Sequence, residues 1–318
     1  MHNSPANQLG LNARAALLCR NLEQESEGLG IARSNAGGAA LWDFGVNAPG
    51  SVAAGVMLAR VCLADLARVA ADEATVSVET EDPVAACMAS QYAGWEVKGE
   101  GYFAMGSGPM RAAAGREELF DHIGRREQAE HCVGVLESAK LPGSDVCTGI
   151  AEKCCVPPER LTLLVAPTSS PAGTVQIAAR SVETALHKLH ELGFDLERIQ
   201  SGRGTAPMPP VAGDDLAAIG VTNDAILYGG QVTLTVRGDD ASLKAIGPRV
   251  PSSASADYGR PFAEVLRAYD HDFYKIDPLL FSPAEIALHN AETGNAFRFG
   301  GVNREVLDAS FDSVSGAS

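Results

Sequence analysis

The sequence predicts an α/β or α+β protein built as two lobes. Segments that alternate like strands interleave with segments of helical period along the whole chain. The 318 residues suffice for two domains or one large one. Hydrophobic residues make up 46% and charged residues only 20%, which supports a real core and argues against disorder. The expected division is an N-terminal α/β lobe over 1–155 and a C-terminal one over 156–318, with discontinuous lobes as the alternative. No period of 20 to 50 residues and no low-complexity tract is present.

The elements follow in order. Leu11, Ala15, Leu18, Cys19 and Leu22 have helical spacing, with Asn12 as cap and Gly28 and Gly30 as the end. AALWDFGV reads as a strand. NAPGS turns the chain, and Ser51 caps an apolar helix over AGVMLARVCLADLARVAA. ATVSVET alternates as a strand does. Asp82 and Pro83 open a helix by cap-then-proline logic that runs through CMASQYAG. Short strands at EVK and GYFAM precede the turn GSGP. REELFDHIG is helical, HCVGVLES a strand, DVCTGIAEKC a helix and LTLLVAP a buried strand. One helix is predicted over TVQIAARSVETALHKLHELG, closed by Gly193. GRGTAPMPPVAGDD, rich in glycine and proline, is a linker or a binding loop. AILYGG and QVTLTVRG read as strands. PFAEVLRAYD and SPAEIALHN read as helices, the second capped by Ser282 with Gly294 past its end. NREVLDAS is the last helix.

Charge and cysteine usage narrow the function. The net charge is −15, so phosphate backbones are repelled and nucleic acid is not an expected partner. The seven cysteines are odd in number and form no C-x-x-C pair, which fits reduced thiols in a cytosolic protein. The apolar segment 54–71 is interrupted by Arg60, Asp65 and Arg68 and is too polar to span a bilayer. MHNSPANQLGLNARAALL lacks a basic start followed by an apolar run, so no secretory signal is expected. His187 and His190 stand three apart but have no third metal ligand nearby in sequence.

Several nucleotide and hydrolase motifs fail. MGSGPMR has Gly106 and Gly108 but Arg111 where a dinucleotide fingerprint needs its third glycine. No Walker lysine and no G-x-S-x-G occur. The loops PTSSPAGT, VTNDAILYGG and VPSSASADYGRPF carry the hydroxyls, amides and glycines common in small-molecule sites and in plain turns alike.

The helix after PTSSPAGT holds the sharpest feature. Ala178, Val182, Leu186, Leu189 and Leu192 form its apolar stripe, while Arg180, Glu183 and His187 lie on another face. The bland reading of Arg180 and Glu183 is a surface ion pair contributing roughly 0.2–0.5 kcal/mol. Against it, arginine before glutamate is the less helpful order for the helix dipole. The alternative is a working site, in which a carboxylate takes a proton from water beside a guanidinium that orients it.

ARSVETALHKLHELGFD followed by SGRGTAPMPP resembles the methenyltetrahydromethanopterin cyclohydrolase family. So do DFGVNAPGSVAAGVMLARVC, ASQYAGWEV, YFAMGSGPMRA, TNDAILYGG, VPSSASADYGRPF and DFYKIDPLLFSPAEIALHNAETG. The likeness runs in order from about Asn12 to Phe311. It implies a two-lobed α/β cyclohydrolase fold of mixed sheets with a substrate cleft between lobes. It also implies a cytoplasmic, commonly oligomeric enzyme that interconverts a methenyl pterin with its 5-formyl derivative by adding water. The expected carrier is tetrahydromethanopterin or its dephospho form, a substrate; no prosthetic group or metal is implied. The family's R-x-x-E motif matches Arg180 and Glu183, with Glu183 activating and Arg180 positioning the water. Gln91, Ser107, Asn223, Tyr228, Ser253 and Tyr258 lie in family-like loops and are expected pterin contacts or turn caps; Lys275 is an anion contact or a surface lysine. The rivals are a metal-dependent hydrolase using His187 and His190, and a pterin-binding protein without catalysis.

Overall fold

The computed structural model describes residues 9–270, 272 and 275–315. The first eight residues of the stretch read against a secretory signal lie outside them. Two compact units form, and neither is continuous in sequence. One takes the chain up to Leu66 with Ala89–Gly173; the other takes Ala67–Met88 with the chain from Thr174 onward. A single cut between 155 and 156 is a different division.

The chain begins with α1 (Leu11–Cys19) and α2 (Leu22–Leu29), two helices where one was expected. Asn12 is no cap. It is buried inside α1, donates to the Pro109 carbonyl at 2.8 Å and accepts from the Val133 amide at 2.8 Å. Gly30, at φ 67°, closes α2 in the left-handed region where glycine carries no steric penalty. Then come β1 (Ala32–Ala36), β2 (Ala39–Asp43) and α3 (Val52–Cys62). Ser51 caps α3 as expected, accepting from the Ala54 amide at 3.0 Å. The apolar helix expected to run on through residue 71 instead stops, and β3 (Ala67–Ala71) pairs with β4 (Thr75–Thr80). Asp82 opens the next helix by accepting from the Ala85 amide, but Val84–Gln91 is wound as a π-helix.

The middle of the chain supplies β5 (Trp95–Gly99), β6 (Tyr102–Ser107), α4 (Met110–Ala114), α5 (Leu119–Ile123), β7 (Cys132–Glu137), α6 (Ser144–Lys153) and β8 (Leu161–Ala166). Then follow α7 (Pro171–Ala178), α8 (Ser181–Glu191), β9 (Ile199–Pro207), α9 (Asp215–Leu227), β10 (Gln231–Val236), α10 (Asp240–Ile246), α11 (Phe262–Ala268), β11 (Glu285–Asn290), β12 (Ala296–Gly300) and α12 (Arg304–Ser315). Five expectations are corrected here. GRGTAP is strand β9, AILYGG closes helix α9, and SPAEIALHN holds strand β11. Ser282 caps nothing; its hydroxyl donates to the Val250 carbonyl at 2.6 Å. The single helix predicted over 174–192 is two, α7 and α8.

The first unit is built on a six-stranded sheet in the order β1-β2-β8-β7-β6-β5, whose β2, β8 and β7 run parallel. Alternate residues face opposite ways. Trp42, Val133, Val135 and Leu164 join Ala54 and Leu58 of α3 in one apolar cluster. Leu41, Leu136, Leu163 and Val165 join Cys147 and Ile150 of α6 in another. Both faces of the sheet are therefore covered, which is why β8 is buried at every position.

The second unit has its own six-stranded sheet, β12-β11-β10-β9-β4-β3, parallel only between β10 and β11. Helices α9, α11 and α12 share a core of Leu227, Tyr228, Phe262, Val265, Leu266 and Leu307. Asp224 ties the three together. Its carboxyl, without exposed surface, accepts from the Phe262 amide at 2.9 Å and the Ser310 hydroxyl at 2.6 Å.

Burial pushes the Asp224 carboxyl up to about 7, against those hydrogen bonds, which favour the anion. A pKa raised above its unfolded value of 3.8 makes the folded state bind more protons. Its contribution to stability is complete below about pH 4 and is lost as pH rises through 7. Urea unfolding of the wild type should weaken across this window relative to Asp224→Asn, by on the order of 1–4 kcal/mol. A difference between the two proteins that stays flat with pH would contradict this.

Candidate active site

Helix α7 begins with a Ser-Pro start. Ser170 Oγ accepts from the Gly173 amide at 3.0 Å, and Pro171 fills the first helical position, where no amide is needed. The helix tightens at its end, with the Arg180 amide donating to the Ile177 carbonyl at 3.0 Å. Arg180 itself adopts φ −91° and ψ 7°, and α8 starts from it. Its carbonyl accepts from the Thr184 amide at 2.9 Å. Arg180 is thus the N-cap residue of α8, and Glu183 lies in the first turn, where the helix N-terminus favours negative charge.

Both side chains are buried. Arg180 keeps 9% and Glu183 7% of side-chain exposure, and Nη1 stands 3.7 Å from Oε2. This is not the exposed ion pair of the bland reading. At that separation the groups attract, yet a direct hydrogen bond between these two atoms is not formed.

What holds the pair in place is the strand beneath it. A Cβ on Gly204 would lie 2.4 Å from Ser181 Oγ and 2.9 Å from Val182 Cγ2. A Cβ on Gly202 would lie 2.7 Å from Val182 Cγ1. These glycines share the buried face of β9, while Arg203 between them points outward to Glu79. The two residues pressed onto the glycine seat are those between Arg180 and Glu183. Ser181 Oγ is left without a hydrogen-bond partner among the described residues, so contact prevails over polar satisfaction there. Further along α8, wholly buried Lys188 donates from Nζ to the Leu279 carbonyl. Burial pushes its ammonium down to about 8, opposed by Asp277 and reinforced by Arg249.

His187 continues the Arg180–Glu183 face. Its Nε2 is 3.7 Å from Glu191 Oε1, with side-chain exposures of 14% and 39%. Burial holds its imidazole below the usual range. Among the described residues, no group of three or more histidine, cysteine or acidic side chains is placed to hold a metal ion.

The expected pterin contacts fall in both units. Gln91 and Ser107 are buried in the first, around Cys62, whose Sγ is 3.2 Å from Ser107 Oγ. In the second, the Tyr228 and Tyr258 rings meet tilted, 5.1 Å between centroids, and the Tyr228 hydroxyl donates to the Arg260 carbonyl at 2.6 Å. Asn223 donates to the Ile219 carbonyl at 2.8 Å within α9. Ser253 is exposed. Lys275 is 60% exposed at its side chain and pairs with Asp272 at 3.3 Å. Arg111, the misfit of the glycine motif, is a buried cation. It pairs with Glu117 through Nε at 2.9 Å and Nη2 at 2.5 Å, and lies 5.0 Å from the Tyr92 ring.

Sequence reasoning passed over Glu137 and took Thr168 only as part of the loop PTSSPAGT. They end β7 and follow β8, at the carboxyl ends of parallel strands, where open α/β sheets take ligands. The Thr168 hydroxyl donates to Glu137. The sequence signal for Glu137 is that it closes an apolar strand. A cavity of about 740 Å³ in the first unit, lined in part by Leu17, Arg20, Trp42, His131 and Arg160, contains none of the expected site residues.

The family profile described as Cyclohydrolase (MCH) matches residues 10–311. The chain belongs to this family. It is 47% identical over 287 residues to the methenyltetrahydromethanopterin cyclohydrolase of Rhodopirellula baltica, covering 86% of each chain. It is 46% identical over 282 residues to that of Methylobacillus flagellatus, again covering 86% of each. With the Methylobacterium organophilum protein of the same name, identity is 43% over 314 residues, 95% of this chain and 97% of the other.

A side chain at the glycine seat should act on both stability and turnover. Gly204→Ala is expected to lower unfolding free energy by roughly 1–3 kcal/mol through overpacking. It should also reduce turnover in folded protein by shifting the first turn of α8. Alanine accepted at 204 with neither change would show that the seat is slack.

Proposed function

We propose that this chain catalyses the reversible hydrolysis of 5,10-methenyltetrahydromethanopterin, or its dephospho form, to the 5-formyl derivative. Membership in the cyclohydrolase family supports the reaction. The buried Arg180–Glu183 pair, 3.7 Å apart at the start of α8, is the observation that carries the mechanism.

The methenyl carbon sits between two nitrogens as an amidinium-like electrophile, so it needs no further activation to be attacked by water. Glu183 accepts a proton from the attacking water, and its charge complements the cationic substrate. Arg180 orients the water with its N–H donors. A donor and an acceptor on one water fix both its position and its lone-pair direction. Proton removal of this kind contributes typically 10²- to 10⁴-fold. Gln91, Ser107, Asn223, Tyr228, Ser253 and Tyr258 are the candidate contacts to the pterin carrier. The protein works in the cytoplasm as a homo-oligomer, with the pterin as its small-molecule partner and no prosthetic group. Among the described residues no helix is long and apolar enough to cross a membrane.

Loss of the methenyl chromophore reports turnover directly. Glu183→Gln should slow it by roughly 10²- to 10⁴-fold while substrate affinity stays within a few-fold. Undiminished turnover in that variant would remove Glu183 from the mechanism.

A further inference from the structure

The proposed reaction has a proton balance that Glu183 alone does not close. A C–O bond forms between water and the methenyl carbon, and one water proton passes to Glu183. In the neutral adduct the hydroxyl loses its proton as the carbonyl forms. The departing nitrogen gains one as the C–N bond breaks. A cation and water thus become a neutral formyl amine and one proton per turnover. Glu183, with 7% side-chain exposure, must be emptied of that proton before the next cycle.

We propose that the proton leaves along one face of α8, from Glu183 to His187 and out to solvent through Glu191. This rests on the role given to Glu183 above. Three observations carry it. The residues stand at i, i+4 and i+8, the spacing that places successive side chains one above the other with Cβ atoms about 5–6 Å apart. Side-chain exposure climbs along the row, from 7% at Glu183 to 14% at His187 and 39% at Glu191. The second step is already short, with His187 Nε2 at 3.7 Å from Glu191 Oε1. A small side-chain rotation closes it.

The charges around His187 suit a carrier. Burial holds the imidazole below its usual range, so the resting ring is neutral and has a nitrogen ready to accept a proton. His190 and Lys188 act in the same direction; Glu191 opposes them and draws the proton outward. Asp277 and Arg249, from segments beyond α8, act on Lys188. His187 is a positioning and relay residue that works through Glu183 and does not touch the reacting carbon. In the formylating direction's reverse, the same row delivers the proton.

Chemical rescue separates a relay from a structural role. In weak buffer, His187→Ala is expected to lower kcat roughly tenfold at unchanged KM. Added imidazole should restore kcat in a saturable manner and leave the wild type unaffected. Glu191→Gln should show a smaller loss, about threefold, with the same rescue. His187→Gln, closer in volume, serves if the alanine variant does not fold. Wild-type kcat in the His187 variants, or a loss that no concentration of imidazole repairs, overturns the relay. If Glu183→Gln is inactive in the same assays, only the relay has failed. If Glu183→Gln turns over normally, the base assignment itself is wrong and the relay falls with it.

Discussion

The contact between Gly202 and Gly204 of β9 and the first turn of α8 is the constraint on which the site depends. Any Cβ at these positions would overlap Ser181 or Val182. The helix therefore sits closer to the sheet than side chains would permit, and Arg180 and Glu183 flank the contact. Strand β9 is interior to its sheet, bonded to β10 and β4, so the seat is rigid. Lys188 fastens the far part of α8 to Leu279. A guanidinium and a carboxylate thus receive fixed positions from backbone packing, before any substrate binds.

A buried ion pair at 3.7 Å is a poor device for stability. Removing both charges from water costs several kcal/mol, and the attraction at that distance returns only part of it. The helix start offsets some of the remainder by favouring negative charge at Glu183. A site with a chemical task has reason to retain such a pair, because the two groups side by side offer one water a donor and an acceptor. Asp224 shows the contrasting case. There a carboxyl is sealed among α9, α11 and α12 with direct hydrogen bonds from Ser310 and Phe262, and it serves packing.

The alternation of the two element types, the mixed α/β class and the R-x-x-E pair were legible in the sequence. The misreadings share one cause: tertiary contact overrode local signal. GRGTAP looked like a loop because glycines break strands, yet Gly202 and Gly204 are small because α8 lies on them. AILYGG carries strand-forming residues, but Leu227 and Tyr228 pack with α11 and α12, and burial on several sides removes the helical period. Ser282 before Pro283 imitates a helix start; β11 forms because β10 and β12 flank it. The break at Arg180 was invisible, since no proline or glycine marks it. Burial of the pair depends on long-range packing, so spacing alone favoured a surface salt bridge over a working site.

The central claim is that Arg180 and Glu183 act as one unit on one water. A double-mutant cycle on kcat/KM, using Arg180→Gln, Glu183→Gln and the pair together, tests it most directly. Groups that share a task lose it once, so the double variant should be about as slow as the slower single variant. Losses that multiply across the cycle would mean that the two side chains work independently, and the shared-water account would be wrong.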